Sequence, residues 1–530
     1  MVPFQNFKYR PNPIYLTSHG GFYGYLQLQS QTALSVFKSL AKETLIYGLS
    51  YSAGRVINFL LITSYLTYRI FTREDGYFSI YQDLYFYIGL LLSVLTLRME
   101  TTFFRFASDE NYGPGIYPLV SRLVWILSLF FLVLVFLFRA ELLDFLKYGD
   151  DLGPHLMLAS GILVLDVVVS LPFAKLRYDK KPVRYSWIKL SSLITNIAAV
   201  LFIFEGMKWL GSGFDPARLS SQEKLYYVLL ANFISSGLNL LLLLREILPS
   251  LTQADWSPVK KILAYSWPLV VVTLSFTIIQ SGYTSYLKYL LSDDPASNLK
   301  ASDSLNAAYR LAVIMNIFLT AFQYAAEPFF FRHSRQTDAR RHFAALSLVF
   351  IICCSGIYLA TTLNLDLFSR LLGPGFRGSL YLVPILLMAN IFSGLYYNLG
   401  AWNKLTDKTK MAAGISLTGL LVNTVLYLIL VPVMGVEASA WIMLIVYFLM
   451  CVHSYFQGQK HYPIPYDLGT MVLVLIGSVL ISALTRSLLP EGLVLRFLIS
   501  NFVLLISLFG LFKLILKAVR SEQSGAESGK

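Results

Sequence analysis

Arg55, Asp83, Arg122, Asp166, Lys189 and Arg310 are charged side chains set inside long apolar runs. An ionised group in hydrocarbon is costly enough that it faces a partner or a wet cavity rather than lipid. Arg55 lies mid-run, too deep to reach water along its own stem, with Asn58 about one turn further on. It either lines a cavity or pairs with an acid on a neighbouring helix. In a cavity, a guanidinium suits a phosphate or diphosphate, because its fork of donors matches two oxygens. Asp83, Asp166 and Glu327 are candidate titrating groups for ion coupling. Glu100 and Glu327 each end an apolar run five residues before an arginine, where an interfacial ion pair and a gate contact both fit. Lys189 and Arg122 lie near run ends and are expected to snorkel. Asp166 is a candidate partner for Lys189.

The runs that carry these groups are membrane-length. The chain is 56% hydrophobic and 14% charged over 530 residues, too apolar for a soluble protein of this size. Runs of about 20 residues, the length of a helix across a bilayer, recur along it. The alternation of outer-membrane strands is missing. The reading is an all-α polytopic membrane protein with fourteen spans, roughly 44–66, 77–98, 116–138, 154–174, 184–204, 225–244, 259–287, 303–326, 342–363, 380–402, 409–431, 436–456, 468–488 and 493–517.

Charge tests that map. With the N-terminus inside, the inner loops hold 26 of the 43 Lys and Arg and 13 of the 30 Asp and Glu. The outer loops hold 13 and 15. One missed span would scramble this segregation, so both termini are expected in the cytoplasm. The net charge of +13 is thereby explained without nucleic acid.

A repeat organises the spans. Glu100-Thr101-Thr102-Phe103-Phe104-Arg105 recurs as Glu327-Pro328-Phe329-Phe330-Phe331-Arg332. Asn196 maps onto Asn423 at the same offset, and so does Asp83 onto Arg310. Two pseudo-symmetric six-helix lobes follow, residues 44–244 and 259–456, with a cytoplasmic linker at 245–258. Two extra helices occupy 457–517, and segments 1–43 and 518–530 are cytoplasmic. Paired halves are the architecture of secondary transporters, with the substrate between them. Asp83 and Arg310 would occupy equivalent points of the lobes. They are expected to meet near the outer mouth and help to close it; separate cavity roles and local pairing are the alternatives.

Several classes are excluded. No Gly-x-x-x-x-Gly-Lys-Ser/Thr loop occurs, so the chain is no ATPase by itself. The longest outer loop, 205–224, has no paired carboxylates or Ser/His arrangement for a transferase or hydrolase. Cys353, Cys354 and Cys451 lie in apolar helices without metal-ligand or disulfide spacing, and the histidines are scattered. No metal, cofactor or enzymatic activity is expected.

Ala308-Tyr309-Arg310-Leu311-Ala312, followed by Ala325-Ala326-Glu327-Pro328-Phe329-Phe330-Phe331, resembles the eighth-span signature of bacterial polysaccharide and O-antigen flippases. These belong to the multidrug/oligosaccharidyl-lipid/polysaccharide exporter superfamily. Tyr47-Gly48 with Arg55 and Asn58, Pro172-Phe173-Ala174-Lys175-Leu176-Arg177, Trp402 to Thr409 and Gly458 to Tyr466 extend the resemblance over about residues 38–520. It implies a two-lobed, MATE-like, V-shaped bundle in the bacterial inner membrane. It implies movement of an isoprenoid-diphosphate-linked glycan to the outer leaflet by alternating access, with membrane lipid and assembly proteins such as a polysaccharide polymerase as partners. Arg55 carries over best as a substrate ligand, then Arg310, with Asn58 and Lys189 as further candidates. A multidrug cation exporter on the same scaffold and a non-transporting scaffold of a glycan assembly complex are the competing readings.

Overall fold

The computed structural model describes residues 63–528 apart from 72–74, 108, 110–111, 208–214, 252, 334–338, 406–407 and 489–492. The first apolar run, with Arg55 and Asn58, lies outside the described residues. All regular structure among the described residues is helical. Buried in lipid, a chain satisfies its backbone polar groups locally only as helix. Twelve described segments are long and apolar enough to cross a membrane. One of them, Lys410–His461, is two helices separated by a 3-10 turn at Gly435–Glu437.

The long helices, with one shorter helix, α2, after the first of them and another, α8, after α7, are α1 (Tyr77–Leu95), α2 (Met99–Ala107), α3 (Tyr117–Leu137), α4 (Gly153–Tyr178), α5 (Pro182–Leu201), α6 (Ser221–Leu242), α7 (Val259–Ser281) and α8 (Tyr283–Leu290). They continue as α9 (Pro295–His333), α10 (Ala339–Leu363), α11 (Val383–Leu399), α12 (Thr409–Met434), α13 (Ala438–His461), α14 (Leu468–Leu488) and α15 (Leu493–Ser528). Their starts follow local chemistry. Ser220 and Glu223 form a reciprocal capping box at α6. Proline supplies the first turn of α4, α5 and α11, where its missing N–H is no loss.

Packing repeats between the halves of the chain. In the first half α4 packs on α1, α3 and α6, and α5 packs on α6. In the second half α11 packs on α9, α10 and α13, and α12 packs on α13. α14 and α15 both pack on α10, at the flank of the second half. The halves meet chiefly through α1, which lies against α7 and α9. Between α1 and α2 the chain turns at Leu97 and Arg98, both left-handed with φ of 47° and 52°. Side chains rarely adopt that conformation, so the break in this span is held by its surroundings rather than by residue preference.

Two glycines let the halves approach. Gly76, just before α1, has φ +72°, and a Cβ there would sit 3.2 Å from the Lys300 amide nitrogen. A Cβ on Gly373 would sit 2.1 Å from the Thr67 carbonyl oxygen. Both contacts lie on the face carrying segments 139–153, 288–302 and 364–379, called here the acidic face. The opposite face, with the Lys- and Arg-rich loops, is the basic face.

Candidate functional site

At the acidic face the two halves are joined by buried polar chemistry. Asp83, on α1, is fully buried. One carboxylate oxygen accepts from the Tyr148 hydroxyl at 2.6 Å and from the Lys288 ammonium at 2.5 Å. The other accepts from Ser285. Lys288 is itself fully buried, and its ammonium lies 4.5 Å from the Tyr148 ring centroid and 4.9 Å from that of Tyr289. Burial pushes the lysine pKa down, and Asp83 opposes that shift. The same burial, with Asp83 alongside, raises the Tyr148 phenol well above its ordinary pKa and keeps it a donor. Asp83 thus pairs across the halves with Lys288, and among the described residues Arg310 is not its partner.

A second cross-half contact completes a helix. The first amides of α1 have no intrahelical acceptor, and the Gly76 cap has no side chain to offer. Asp303, on α9, takes that place. One of its oxygens accepts from the Ser79 amide at 2.9 Å and from the Ser79 hydroxyl at 2.6 Å. An acceptor oxygen there also suits the positive end of the α1 dipole. Asn306, one turn along α9, donates to the same Ser79 hydroxyl at 2.7 Å, and Thr284 donates to Asn306 at 2.9 Å. Losing an N-cap acceptor costs roughly 1–2 kcal/mol, about tenfold in an opening equilibrium. Asp303→Ala is thus expected to speed hydrogen exchange at the Ser79 amide about tenfold. Unchanged exchange there would show that the cross-half cap contributes nothing.

Beneath these contacts lies a cavity of about 240 Å³ between the halves. Arg310 reaches it from α9, seven residues after Asp303 and so on the same helix face. One Arg310 terminal nitrogen donates to the Gln82 side-chain oxygen, and the guanidinium lies 5.6 Å from the Tyr81 ring centroid. The Arg310 Nε is buried with no hydrogen-bond partner. Asn390 Oδ1, on the cavity wall, is likewise unpartnered. Tyr283 and Tyr309 stack at 3.7 Å and form another part of the wall. The cavity thus presents one cation with unused donor capacity, neutral amides and aromatic faces.

The remaining sequence candidates fall elsewhere. Asp166 accepts from Ser236 at 2.8 Å within the first half. Lys189 is exposed, its ammonium 4.0 Å from the Phe173 ring centroid, as a snorkelling side chain would be. Glu100 pairs with Arg177 at the basic face, both partly exposed. Arg105 lies over the Tyr265 ring at 5.1 Å, so the halves also touch at that face. Glu327 belongs to α9 and its side chain lies outside the described residues, as do Arg55 and Asn58. Lys288 and Asp303 were missed by the sequence reading, which ends the seventh span at 287 and begins the eighth at 303. The available signal was helical spacing: Asp303, Asn306 and Arg310 fall on one face.

No family model matches the chain, and no curated protein does. Solved structures do. The bent form of the Vibrio cholerae MATE transporter VcmN matches with a TM-score of 0.54 at 12% identity, over 85% of this chain and 99% of that one. The lipid II flippase MurJ in an inward closed conformation matches at 0.54 and 14% identity, over 89% of this chain and all of the other (100%). An inward-facing multidrug resistance MATE family transporter of the MOP superfamily matches at 0.55 and 12% identity, over 76% and 94%. The chain therefore has a MATE-like fold, shared with structures of the MOP superfamily.

Proposed function

We propose that the chain is a flippase of two pseudo-symmetric six-helix lobes and two C-terminal helices, fourteen membrane helices in all. It moves an isoprenoid-diphosphate-linked oligosaccharide from the cytoplasmic to the outer leaflet of a bacterial inner membrane by alternating access. The observation that carries this reading is Arg310, whose Nε lacks an acceptor in a cavity between the halves. A buried guanidinium edge without an acceptor calls for an anion, and a diphosphate supplies paired oxygens. The acidic face, closed by Asp83 with Lys288 and by Asp303 with Ser79, is the outer gate in this reading. Arg55 and Asn58 are further headgroup ligands, and Asp166, Glu100 and Glu327 are reserved for coupling or the inner gate. The fold likeness to MurJ and to MATE transporters makes either a lipid or a soluble cargo compatible with the scaffold.

A multidrug exporter is the second reading. The stacked Tyr283 and Tyr309 favour it, since aromatic faces attract organic cations. The Arg310 charge in the same cavity opposes it. Deleting the gene and quantifying lipid-linked oligosaccharide on each leaflet separates the two. The flippase reading expects accumulation on the inner leaflet, reversed by the wild-type chain. Unchanged pools together with lost efflux of a fluorescent cation would establish the exporter instead.

A further inference from the structure

A second hollow, about 220 Å³, opens between the acidic-face ends of α10 and α15, away from the inter-half cavity. Its walls are of two kinds. Leu367, Val494 and Phe497 form an apolar side and stay substantially exposed at 50%, 73% and 48%. The polar side holds Arg370, Arg496 and Asp366. Arg496 Nη1 lies 3.5 Å from an Asp366 oxygen, while its Nε is buried without a partner. The Asp366 pair thus occupies one end of the guanidinium and leaves the Nε edge without an acceptor. The exposed Arg370 lies beside it.

We propose that this hollow is a binding site for the headgroup of an anionic phospholipid in the leaflet at the acidic face. The Arg496 Nε edge and Arg370 hold the phosphodiester, and the acyl chains lie along Leu367, Val494 and Phe497. Two arginines less one carboxylate leave a net charge of +1, which matches a single phosphodiester. A guanidinium edge takes phosphate oxygens with geometry that a lysine cannot copy. The exposed apolar wall selects an amphiphile over a free anion, since burying that wall contributes only when an acyl chain covers it. The site also touches the contact between the halves: the Arg370 carbonyl accepts from the Tyr68 hydroxyl at 2.7 Å, and Arg377 donates to the same hydroxyl at 2.9 Å. The inference stands on this hollow alone and does not depend on the transported cargo.

The test is native mass spectrometry of the delipidated full chain titrated with phosphatidylglycerol. The Arg370→Gln, Arg496→Gln double variant is expected to retain at least fivefold less lipid than wild type. Arg218→Gln, at an exposed arginine on the same face paired with Asp215, is expected to retain the full amount. Equal retention by the double variant overturns the proposal. So does an equal loss in Arg218→Gln, which would indicate diffuse charge attraction. Displacement of phosphatidylglycerol by millimolar inorganic phosphate also overturns it, by showing an anion site that ignores the chains. Melting curves check that each variant folds. If the double variant does not, Arg370→Gln alone carries the test, because its exposed side chain has little part in packing, and wild-type retention by it counts against the site.

Discussion

Asp83→Ala is expected to destabilise the closed acidic face by about 3–5 kcal/mol, because it strands a buried ammonium with no counter-charge. The reasoning turns on burial rather than on the attraction itself. Asp83 and Lys288 are both fully buried, so the desolvation of each charge is offset mainly by the other. Removing one leaves the full penalty on its partner, with Tyr148 and Ser285 also losing their acceptor. Replacing both with apolar residues of similar volume removes charge and penalty together. Asp83→Leu with Lys288→Met is therefore expected to recover most of what Asp83→Ala loses. Thermal unfolding in detergent reads the stability. An impermeant thiol reagent on a cysteine placed at Ser285 reads the opening of the face. Strictly additive losses in the double variant would sink the argument, because residues in one buried pair must couple.

That pair was only half legible in the sequence. The spans could be read because a bilayer forces long apolar helices, and Asp83 stood out as a charge within one. Its partner did not. The seventh apolar run ends at 287 in the sequence, which leaves Lys288 just outside it; the helical course continues through Gly282 into α8, which ends at Leu290, packs on α9 and touches α1. Asp303 stands at the very start of the eighth apolar run in the sequence, where hydropathy begins. The helix itself begins at Pro295, eight residues earlier, with polar residues in its first turns. Hydropathy marks where lipid begins and does not mark where a helix begins.

The repeat misled in a more instructive way. The common offset places Asp83 and Arg310 at equivalent points of the two halves, from which contact at the outer mouth is one expectation and separate cavity roles or local pairing the others. α1 and α9 do pack together, and Arg310 does reach α1. It meets Gln82, one residue before Asp83. Adjacent residues on a helix point about 100° apart, so that single step decides which side chain faces α9 and which faces α8. The result is a division of labour along α1. Asp83 and Ser79 bond to the second half at the acidic face, and Gln82 with Tyr81 contacts the one described cation lining the cavity. Likewise, the packing of α14 and α15 against α10 was not predictable from their apolar composition, which specifies burial in lipid but no neighbour.

Arg310→Ala is expected to lower the rate of lipid-linked oligosaccharide transfer by about a hundredfold while leaving the fold intact. Hydrogen bonds to a charged group contribute about 1.5–3 kcal/mol, and loss of one strong contact near the upper end gives that factor. The fold should tolerate the change. Arg310 is part of no ion pair among the described residues; Gln82 loses one hydrogen bond from a charged donor, worth about 1.5–3 kcal/mol, and the desolvation cost of the buried guanidinium is lost with it. Arg310→Lys separates charge from shape. It keeps a cation in the cavity but lacks the planar fork that engages two oxygens, so it is expected to recover no more than about a tenth of the wild-type rate. Gln82→Ala removes a positioning partner and is expected to slow transfer only a few-fold. Initial rates in proteoliposomes holding a fluorescent isoprenoid-diphosphate oligosaccharide, with melting curves on the same preparations, read all three variants. Full activity of Arg310→Lys would mean that the cavity needs a point charge and does not grip paired oxygens. Full activity of Arg310→Ala would place the cargo's path away from this cavity and remove the main support for a diphosphate substrate.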